Sequence, residues 1–359
     1  MGQKMIRVVM LGPARNVHGG ISATVNNYYQ AGLAEKVALT YIATMVDGNK
    51  CRKLLQAVGA YLKFLTYLPR MDILHANMAS DSSYYRKMLF IRTAAMVRKK
   101  IIIYSRGGNF EQFYYKESSP GAQKRIRATL NMAERFIVLS PEWKVFFEPL
   151  VEAEKITVMG NGVIVPTKKK ESHAGQGLLL LGRLCREKGV GELLCVMPRL
   201  LAEFPNVHLY LAGVWEDDGL REKAARMPEC VTYLGWIDKD VQMEYMEKCS
   251  VFVLPTYFEG QPNVLLEAMA FGMATLSTAV GGIPQLITDG LNGKLVAPRD
   301  AEALYLALLE LLSSEDKRQS YGAAARRHME SRPGLAELVE KLCEIYESLY
   351  ENKNMSLRA

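Results

Sequence analysis

Two glutamates beside a predicted helix start are the residues of this sequence best placed to do chemistry. The segment from Pro255 to Ala270 reads PTYFEGQPNVLLEAMA and follows a predicted strand. Pro262 suits the first position of a helix, which puts Glu259 in the loop before it and Glu267 about one and a half turns into it. Either carboxylate could accept hydrogen bonds from sugar or ribose hydroxyls, although two glutamates at this spacing also occur on solvated helices. At the N-terminus of a helix, unpaired backbone amides and the helix dipole form a natural diphosphate site. In this predicted helix those amides belong to Asn263, Val264 and Leu265.

Two cations lie close together in the segment GRLCREKG, which begins at Gly182. The guanidinium of Arg183 and the ammonium of Lys188 suit adjacent phosphates. Fixed cations of this kind can stabilise a departing nucleoside diphosphate without a metal ion. Near the N-terminus, Gly19 and Gly20 would let main-chain amides approach a diphosphate or a sugar. For an isolated Arg and Lys, the alternative is an ordinary charged surface.

Composition excludes several classes of protein. The 359 residues are 49% hydrophobic and 23% charged, which suits one or two buried cores and argues against disorder. The six cysteines are scattered without zinc-binding spacing and are interpreted as thiols in a reducing compartment. No segment reaches the roughly 18 apolar residues of a membrane span, so a cytoplasmic protein is expected. Dinucleotide, Walker and nucleophile motifs are missing from the sequence. Asp238 or Asp240 is interpreted as a helix N-cap, rather than the two as a metal-binding D-x-D pair.

The charge is divided unevenly along the chain. Residues 1 to 165 contain 23 Lys and Arg against 11 Asp and Glu, or +12, whereas the remainder contains 22 against 27, or −5. A basic half predicts an anionic partner, and nucleic acid, anionic lipid headgroups or a lipid-linked phosphate would each satisfy that demand. A solvated basic surface is the other interpretation. Several cationic segments of this half are interleaved with apolar residues, a pattern typical of helices that lie on an anionic bilayer. The alternative is that the apolar residues face the domain core. The cationic segments are Arg86-Lys87, Arg92, Arg98 to Lys100 and Lys124 to Arg127, and the apolar residues are Met88 to Ile91 and Met96.

Short runs rich in Val, Ile and Leu alternate with longer segments of helical period, which predicts an α/β fold with parallel sheets covered by helices. One series of predicted strands covers residues 6–11, 38–43, 72–75, 100–105, 135–139 and 156–159, and a second covers 178–181, 207–211, 231–234, 251–254, 275–277 and 294–296.

The two series predict two Rossmann-like doubly wound domains. We expect an N-terminal acceptor-binding domain over residues 1–166 and a C-terminal donor-binding domain over 177–334, joined by a polar linker. An amphipathic helix over 335–359 is expected to pack back across the domains. Since doubly wound sheets bind ligands at the carboxyl ends of their strands, the cleft between the domains is the predicted site.

The sequence resembles the retaining glycosyltransferases of the GT-B fold, family four (glycosyltransferases group 1), of bacterial polysaccharide type. Residues 255–270 match that family's E-x7-E signature nearly throughout. The other matching pieces follow in order: Gly12-Pro13 and Gly19 to Ile21 for the glycine-rich loop, Gly182 to Gly189 for G-R-x-x-x-x-K-G, Leu234 to Ile237 for the loop that contacts the base, Gly281 to Pro284 for G-G-I-P, and Asn292 to Pro298 for N-G-x-L-V-x-P.

The resemblance implies roles for individual residues. Arg183 and Lys188 would neutralise the leaving diphosphate, Glu259 would bind a donor-sugar hydroxyl and Glu267 would bind the ribose diol. The donor would be a nucleoside diphosphate sugar, either a UDP- or a GDP-sugar, with no metal and no other cofactor. The remaining implied donor-binding residues are Gly19, Gly20, Ile237, Gly260, Gln261, Asn263, Val264 and Leu265.

Two departures from the family pattern stand out. Arg106 occupies the place where many relatives have a histidine that reaches the donor sugar, and we count it among the catalytic candidates. It could bind a phosphate, an acidic sugar or an acceptor, or it could signal weakened catalysis. Gln285 replaces the glutamate that usually ends G-G-I-P-E. The acceptor-binding candidates are His18, His75 and Asn109.

The sequence therefore predicts a metal-independent, retaining transferase that moves a hexosyl-type sugar to a hydroxyl acceptor in cell-surface polysaccharide or glycolipid synthesis. A lipid-linked acceptor and peripheral contact with the inner face of an anionic membrane are part of this expectation, and a nucleic-acid partner is not. The alternatives are a catalytically silent sugar-nucleotide-binding subunit and another GT-B enzyme, such as a sugar-nucleotide epimerase.

Overall fold

The chain forms two compact units. The computed structural model describes residues 5–356, so residues 1–4 and 357–359 of the predicted domains lie outside the described part. The first unit comprises the chain up to Gly162 together with the residues from Leu335 onward, and the second runs from Val163 to Gly334.

The first unit is built on a six-stranded parallel sheet in the order β2-β1-β3-β4-β5-β6. Its central strand β3 is buried at every position, as expected of a parallel sheet covered on both faces. The strands are β1 (Arg7–Pro13), β2 (Ala38–Met45), β3 (Ile73–Met78), β4 (Lys100–Ser105), β5 (Arg135–Val138) and β6 (Ile156–Val158). The helices are α1 (Gly20–Gln30), α2 (Leu33–Lys36), α3 (Lys50–Tyr67), α4 (Asp81–Met96), α5 (Phe110–Gln112), α6 (Pro120–Leu130), α7 (Pro141–Phe147) and, at the end of the chain, α14 (Leu335–Ser356).

The second unit is built on a six-stranded parallel sheet in the order β12-β11-β10-β7-β8-β9. The chain order reverses between β7 and β10, which is the switch point of a doubly wound sheet. The strands are β7 (Gly177–Leu181), β8 (His208–Ala212), β9 (Val231–Gly235), β10 (Val251–Leu254), β11 (Ala274–Thr278) and β12 (Lys294–Val296). The helices are α8 (Val190–Glu203), α9 (Asp218–Ala225), α10 (Lys239–Lys248), α11 (Asn263–Phe271), α12 (Ala301–Ser313) and α13 (Glu315–Glu330).

Every predicted strand is present in the structure, and most ends agree within one or two residues. The α/β fold class is therefore confirmed. The reason is that buried parallel strands are short apolar runs, which the alternation with helical segments makes visible in the sequence.

The segment predicted as a linker is not a free connection. The Nζ atom of Lys170 donates to the carbonyl oxygens of Met246 (3.0 Å) and Glu247 (2.6 Å), and the Lys170 side chain is buried. The guanidinium of Arg318 donates to the carbonyl oxygen of His173. Hydrogen bonds to carbonyl oxygens thus attach a segment without apolar period to the second unit.

The final helix belongs to the first unit, where α14 contacts α1, α2, β3 and β4. Its residues Leu335, Leu338, Val339, Leu342 and Leu349 are buried in the core of that unit. The first unit is therefore completed by the end of the chain.

The predicted bilayer contact of the apolar residues in α4 is wrong for Phe90 and Ile91. These side chains are 2% and 0% exposed, and they pack in the core of the first unit. Lys87 is also buried, and burial lowers the pKa of its ammonium to about 7. Among the described helices, none combines the length and the hydrophobicity needed to cross a bilayer.

Candidate functional site

The candidate site lies on loops that follow the carboxyl ends of strands in the second unit. The loop after β10 leads into α11, which begins at Asn263 with Pro262 as its N-cap residue and without a side-chain cap. The amide of Leu265 donates to the carbonyl oxygen of Pro262 at 3.2 Å. The prediction of an outward-facing amide is therefore wrong for Leu265, because that N–H is used within the first turn.

The two signature glutamates are both shielded and both hydrogen-bonded. Lys188 forms an ion pair with Glu259, and these side chains are 16% and 13% exposed. Glu267, at 17% exposure, forms an ion pair with Lys239 and accepts a hydrogen bond from Gln242 Nε2 at 2.7 Å. The structure thus brings Lys188 and Glu259 together, as a site for a diphosphate and a sugar would require.

Sequence reasoning missed Lys239 and Gln242. Both lie in α10, three positions apart, where helical residues share a face. That spacing, directly after the loop assigned to base contact, was a signal that could have identified them. They hold the Glu267 carboxylate from the α10 side.

Arg183 is less enclosed than Lys188. Its guanidinium is 52% exposed and forms an ion pair with Glu216, with 2.9 Å between Nη1 and Oε2. Next to it, Arg186 forms an ion pair with Asp217 at 2.9 Å. The hydrogen bond from the backbone amide of Leu220 lowers the pKa of the Asp217 carboxyl most, and the hydrogen bond from Arg186 lowers it next. The contact of Arg183 with a diphosphate stays a prediction.

Two glycines allow the site loops to pack main chain against main chain. Gly189 has a φ of +70°, and a Cβ atom there would lie 1.9 Å from the carbonyl oxygen of Pro255. Gly281 has a φ of +52°, and a Cβ atom there would lie 1.8 Å from the carbonyl oxygen of Glu259. Any side chain at either position would displace the loop that carries Glu259.

The other donor-binding candidates of the second unit surround this loop. Gly260 and Gln261 are buried, and the carbonyl oxygen of Gly260 accepts a hydrogen bond from the amide of Gly282 at 2.9 Å. Ile237 and Val264 are partly buried and pack against the apolar core under α11. Their contacts with a nucleotide remain predictions.

In the first unit, Gly19 precedes α1 with an extended backbone, and α1 begins at Gly20 without a side-chain cap. A Cβ atom at Gly19 would meet no atom within 4 Å. His18 is exposed, and Asn109 is partly exposed at the start of the short helix α5. The roles predicted for these residues stay predictions.

His75 is fully buried, so the prediction that it contacts an acceptor is wrong for this structure. It lies in the central strand β3, and its Nδ1 atom is 2.7 Å from the hydroxyl of Tyr346 in α14. Burial lowers the pKa of its imidazole to about 3. Position in the middle of a covered strand explains why the side chain cannot reach a ligand.

Arg106 is buried among neutral partners. Its guanidinium donates to Asn77 Oδ1 (3.1 Å), Asn161 Oδ1 (2.7 Å) and the hydroxyl of Tyr28 (2.8 Å). It also lies 3.3 Å from the ring centroid of Tyr104. These contacts give Arg106 a structural role in the first unit, whereas its catalytic role stays a prediction.

Within residues 5–356, no three His, Cys, Asp or Glu side chains come together as possible metal ligands. Asp238 is the N-cap residue of α10, as predicted, and its Oδ1 atom accepts from the amides of Asp240 and Val241.

Comparison with known proteins gives a consistent result. Residues 175–314 match the family model described as Glycosyl transferases group 1. A phosphatidyl-myo-inositol mannosyltransferase of Mycolicibacterium smegmatis is 32% identical over 154 residues, which cover 42% of this chain and 40% of that protein. The chain thus spans about two fifths of the length of that relative.

Two solved structures share the fold over nearly the whole chain. Sucrose-phosphate synthase from Thermosynechococcus elongatus has a TM-score of 0.82 at 18% identity, covering 97% of this chain and 100% of that one. Anabaena HepE, solved in complex with UDP and glucose, has a TM-score of 0.73 at 16% identity, covering 96% and 100%. The chain therefore has the GT-B fold, and its residues 175–314 match the family model of the glycosyl transferases group 1.

Proposed function

We propose that the protein transfers a sugar from a nucleoside diphosphate sugar to a hydroxyl acceptor, with retention of anomeric configuration. The observation that carries the proposal is the Lys188–Glu259 ion pair on the loops of the second unit. An ammonium beside a shielded carboxylate is suited to a donor whose phosphate is anionic and whose sugar is rich in hydroxyl groups. The solved complex of Anabaena HepE with UDP and glucose supports a donor of this class.

Donor binding would exchange partners within that ion pair. The Lys188 ammonium would turn to a phosphate oxygen, and the Glu259 carboxylate would accept a hydrogen bond from a sugar hydroxyl. Arg183 would add a second cation at the diphosphate, since its guanidinium is half exposed and could leave Glu216. As the bond between the anomeric carbon and the phosphate oxygen breaks, negative charge grows on the diphosphate, and fixed cations stabilise it.

Retention is proposed from the family. The acceptor hydroxyl would attack from the face that the diphosphate leaves, forming a bond to the anomeric carbon while its proton passes to the leaving phosphate. Charge neutralisation by Arg183 and Lys188 supports a reaction that needs no metal ion. The donor base proposed is uracil or guanine.

For the acceptor, we propose a lipid-linked hydroxyl at the inner face of the membrane, in cell-surface polysaccharide or glycolipid synthesis. The +12 charge of residues 1 to 165 supports a site near anionic headgroups. The name of the mycobacterial mannosyltransferase, which includes phosphatidyl-myo-inositol, supports a lipid acceptor. The free cysteines of the described chain support a reducing, cytoplasmic location.

A donor assay tests the reaction. Thermal shifts with UDP, GDP, ADP, CDP and TDP would select the base, and the matching sugar nucleotides would then be tested for release of diphosphate in excess EDTA. NMR of the product would report the anomeric configuration. Loss of turnover in EDTA with rescue by magnesium or manganese would refute the metal-independent reaction, and inversion would refute retention.

The same assay separates the alternatives. Tight binding of sugar nucleotides without hydrolysis or transfer would favour a silent binding subunit. Appearance of an epimerised sugar without an acceptor would favour an epimerase.

A further inference from the structure

An exposed apolar face runs along α3. Only Ala60 and Phe64 of this helix are buried. Five other apolar side chains, here called the α3 stripe, face solvent: Leu54 (66% exposed), Leu55 (73%), Val58 (51%), Leu62 (59%) and Leu65 (38%). Their spacing places them within about 100° of the helix circumference, so they form one continuous face. Grouped leucines exposed to water mark a contact surface, unlike leucines scattered singly.

The charge of α3 and of the residues that flank it in the sequence has one sign. No acidic residue lies between Asp47 and Asp72. The same stretch contains five cations, which are Lys50, Arg52, Lys53, Lys63 and Arg70. The surface therefore suits a partner that is both apolar and anionic.

A pocket beside the stripe also contains cations. It lies between α3 and β2, the edge strand of the first sheet, and has a volume of about 470 Å³. Arg52 and Lys63 line it together with Tyr41 and Gln56, and Leu55 of the stripe lies on its rim. A phosphate-bearing headgroup would find two cations there, next to leucines suited to acyl chains.

The neighbouring helix α4 packs beside α3. A hydrogen bond of 2.8 Å between the hydroxyls of Tyr61 and Thr93 joins α3 to α4. On α4, Leu89 is 48% exposed and Met96 is 84% exposed. The helix that packs beside α3 thus also leaves apolar side chains exposed.

We propose that α3 docks the protein on an anionic lipid bilayer. The α3 stripe inserts shallowly at the boundary between headgroups and acyl chains, while the cations beside it, Arg52 and Lys63, lie over lipid phosphates. A second copy of the chain is disfavoured as the occupant, because a symmetric contact would bring two cationic faces together. This inference rests on the membrane contact proposed above and identifies the surface that makes it.

Vesicle sedimentation with the full chain tests the charge and the stripe separately. We expect binding to phosphatidylglycerol vesicles but not to phosphatidylcholine vesicles, and weakening as salt rises. Arg52→Gln with Lys63→Gln should reduce binding about thirtyfold, from roughly a fivefold loss per cation. The matched control is Arg221→Gln with Arg226→Gln in the second unit, where two exposed cations are removed outside α3.

The stripe itself is tested by Leu55→Gln with Leu62→Gln, which should reduce binding at least tenfold. The control is Leu291→Gln with Leu306→Gln, two exposed leucines of the second unit (63% and 53%). Equal binding by stripe and control variants would overturn the role of α3. A concentration-dependent dimer that the stripe variant dissociates would overturn the bilayer as occupant.

A fluorescent probe gives a local readout. Cys51 is an exposed thiol in the first turn of α3, and Cys195 is an exposed thiol on α8. An environment-sensitive dye on Cys51, in a Cys195→Ser background, should shift to the blue on phosphatidylglycerol vesicles. The same dye on Cys195, in a Cys51→Ser background, should not shift. Absence of vesicle binding together with normal turnover of a sugar nucleotide would refute docking while leaving the transfer reaction intact.

Discussion

Replacing Glu267 by alanine should weaken nucleoside diphosphate binding about tenfold. A charge-assisted hydrogen bond contributes roughly 1.5–3 kcal/mol, or about ten- to a hundredfold in affinity. The carboxylate is only 17% exposed, so solvent screens the contact little. In the unliganded protein, however, the same carboxylate is bonded to Lys239 and Gln242. Release of those partners on ligand binding offsets part of the gain, which places the expected loss at the lower end of the range.

Titration calorimetry with the diphosphate chosen by thermal shift is the assay. Glu222→Ala is the matched control, because this glutamate is 72% exposed and lies near Arg226 on α9 of the same unit. Circular dichroism should show an unchanged overall helix content in both variants. Arg183→Ala should also weaken binding, by a similar factor. Unchanged affinity in both Glu267→Ala and Arg183→Ala would refute the assignment of the site.

Three other predictions concern local packing and buried ionisable groups. Gly189→Ala should lower both the melting temperature of the second unit and its nucleotide affinity, because the added Cβ atom would lie 1.9 Å from the Pro255 carbonyl oxygen. Differential scanning calorimetry with and without UDP measures both effects, and an unchanged melting temperature in both conditions would contradict this prediction. Burial lowers the pKa of His75 to about 3, against about 6.5 in the unfolded chain. The contribution of the neutral imidazole to the free energy of unfolding is therefore fully present above pH 6.5 and is lost as pH falls toward 3. At pH 5 the free energy of unfolding should be lower by about 2 kcal/mol. Hydrogen exchange in β3 should show this slope in the wild type and lose that component in His75→Leu. Lys87→Met should raise the melting temperature at pH 6, and because the pKa of Lys87 is lowered to about 7, the gain should shrink as pH rises toward 10; equal gains at both pH values would contradict this reasoning.

Much of the candidate site was predictable because its parts are local in the chain. The spacing of Glu259 and Glu267 around a helix start can be read from one segment, and so can the glycines that close turns. The spacing of Lys239 and Gln242 marks one face of α10 in the sequence, but their contact with Glu267 required knowledge of which helix packs beside α11. The Lys188–Glu259 ion pair likewise joins two loops that are distant in sequence.

The errors at His75 and Ile91 share one cause. His75 and Ile91 were assigned to ligand or bilayer contact because each lies near a strand end or in a cationic segment. The structure buries both, His75 beneath α14 and Ile91 in the sheet-facing side of α4. Residue type and helical period do not specify which face is covered, because the covering element can come from the far end of the chain.

The sequence by itself determined the two series of strands, the α/β class and the motifs around Glu259, because apolar period and turn chemistry act over a few residues. Only the tertiary structure decided which apolar faces remain exposed. The leucines of α3 and the buried Phe90 of α4 are equally apolar in the sequence, and both segments contain cations. One set faces water and the other packs in the core, because burial depends on whether another element lies against that face.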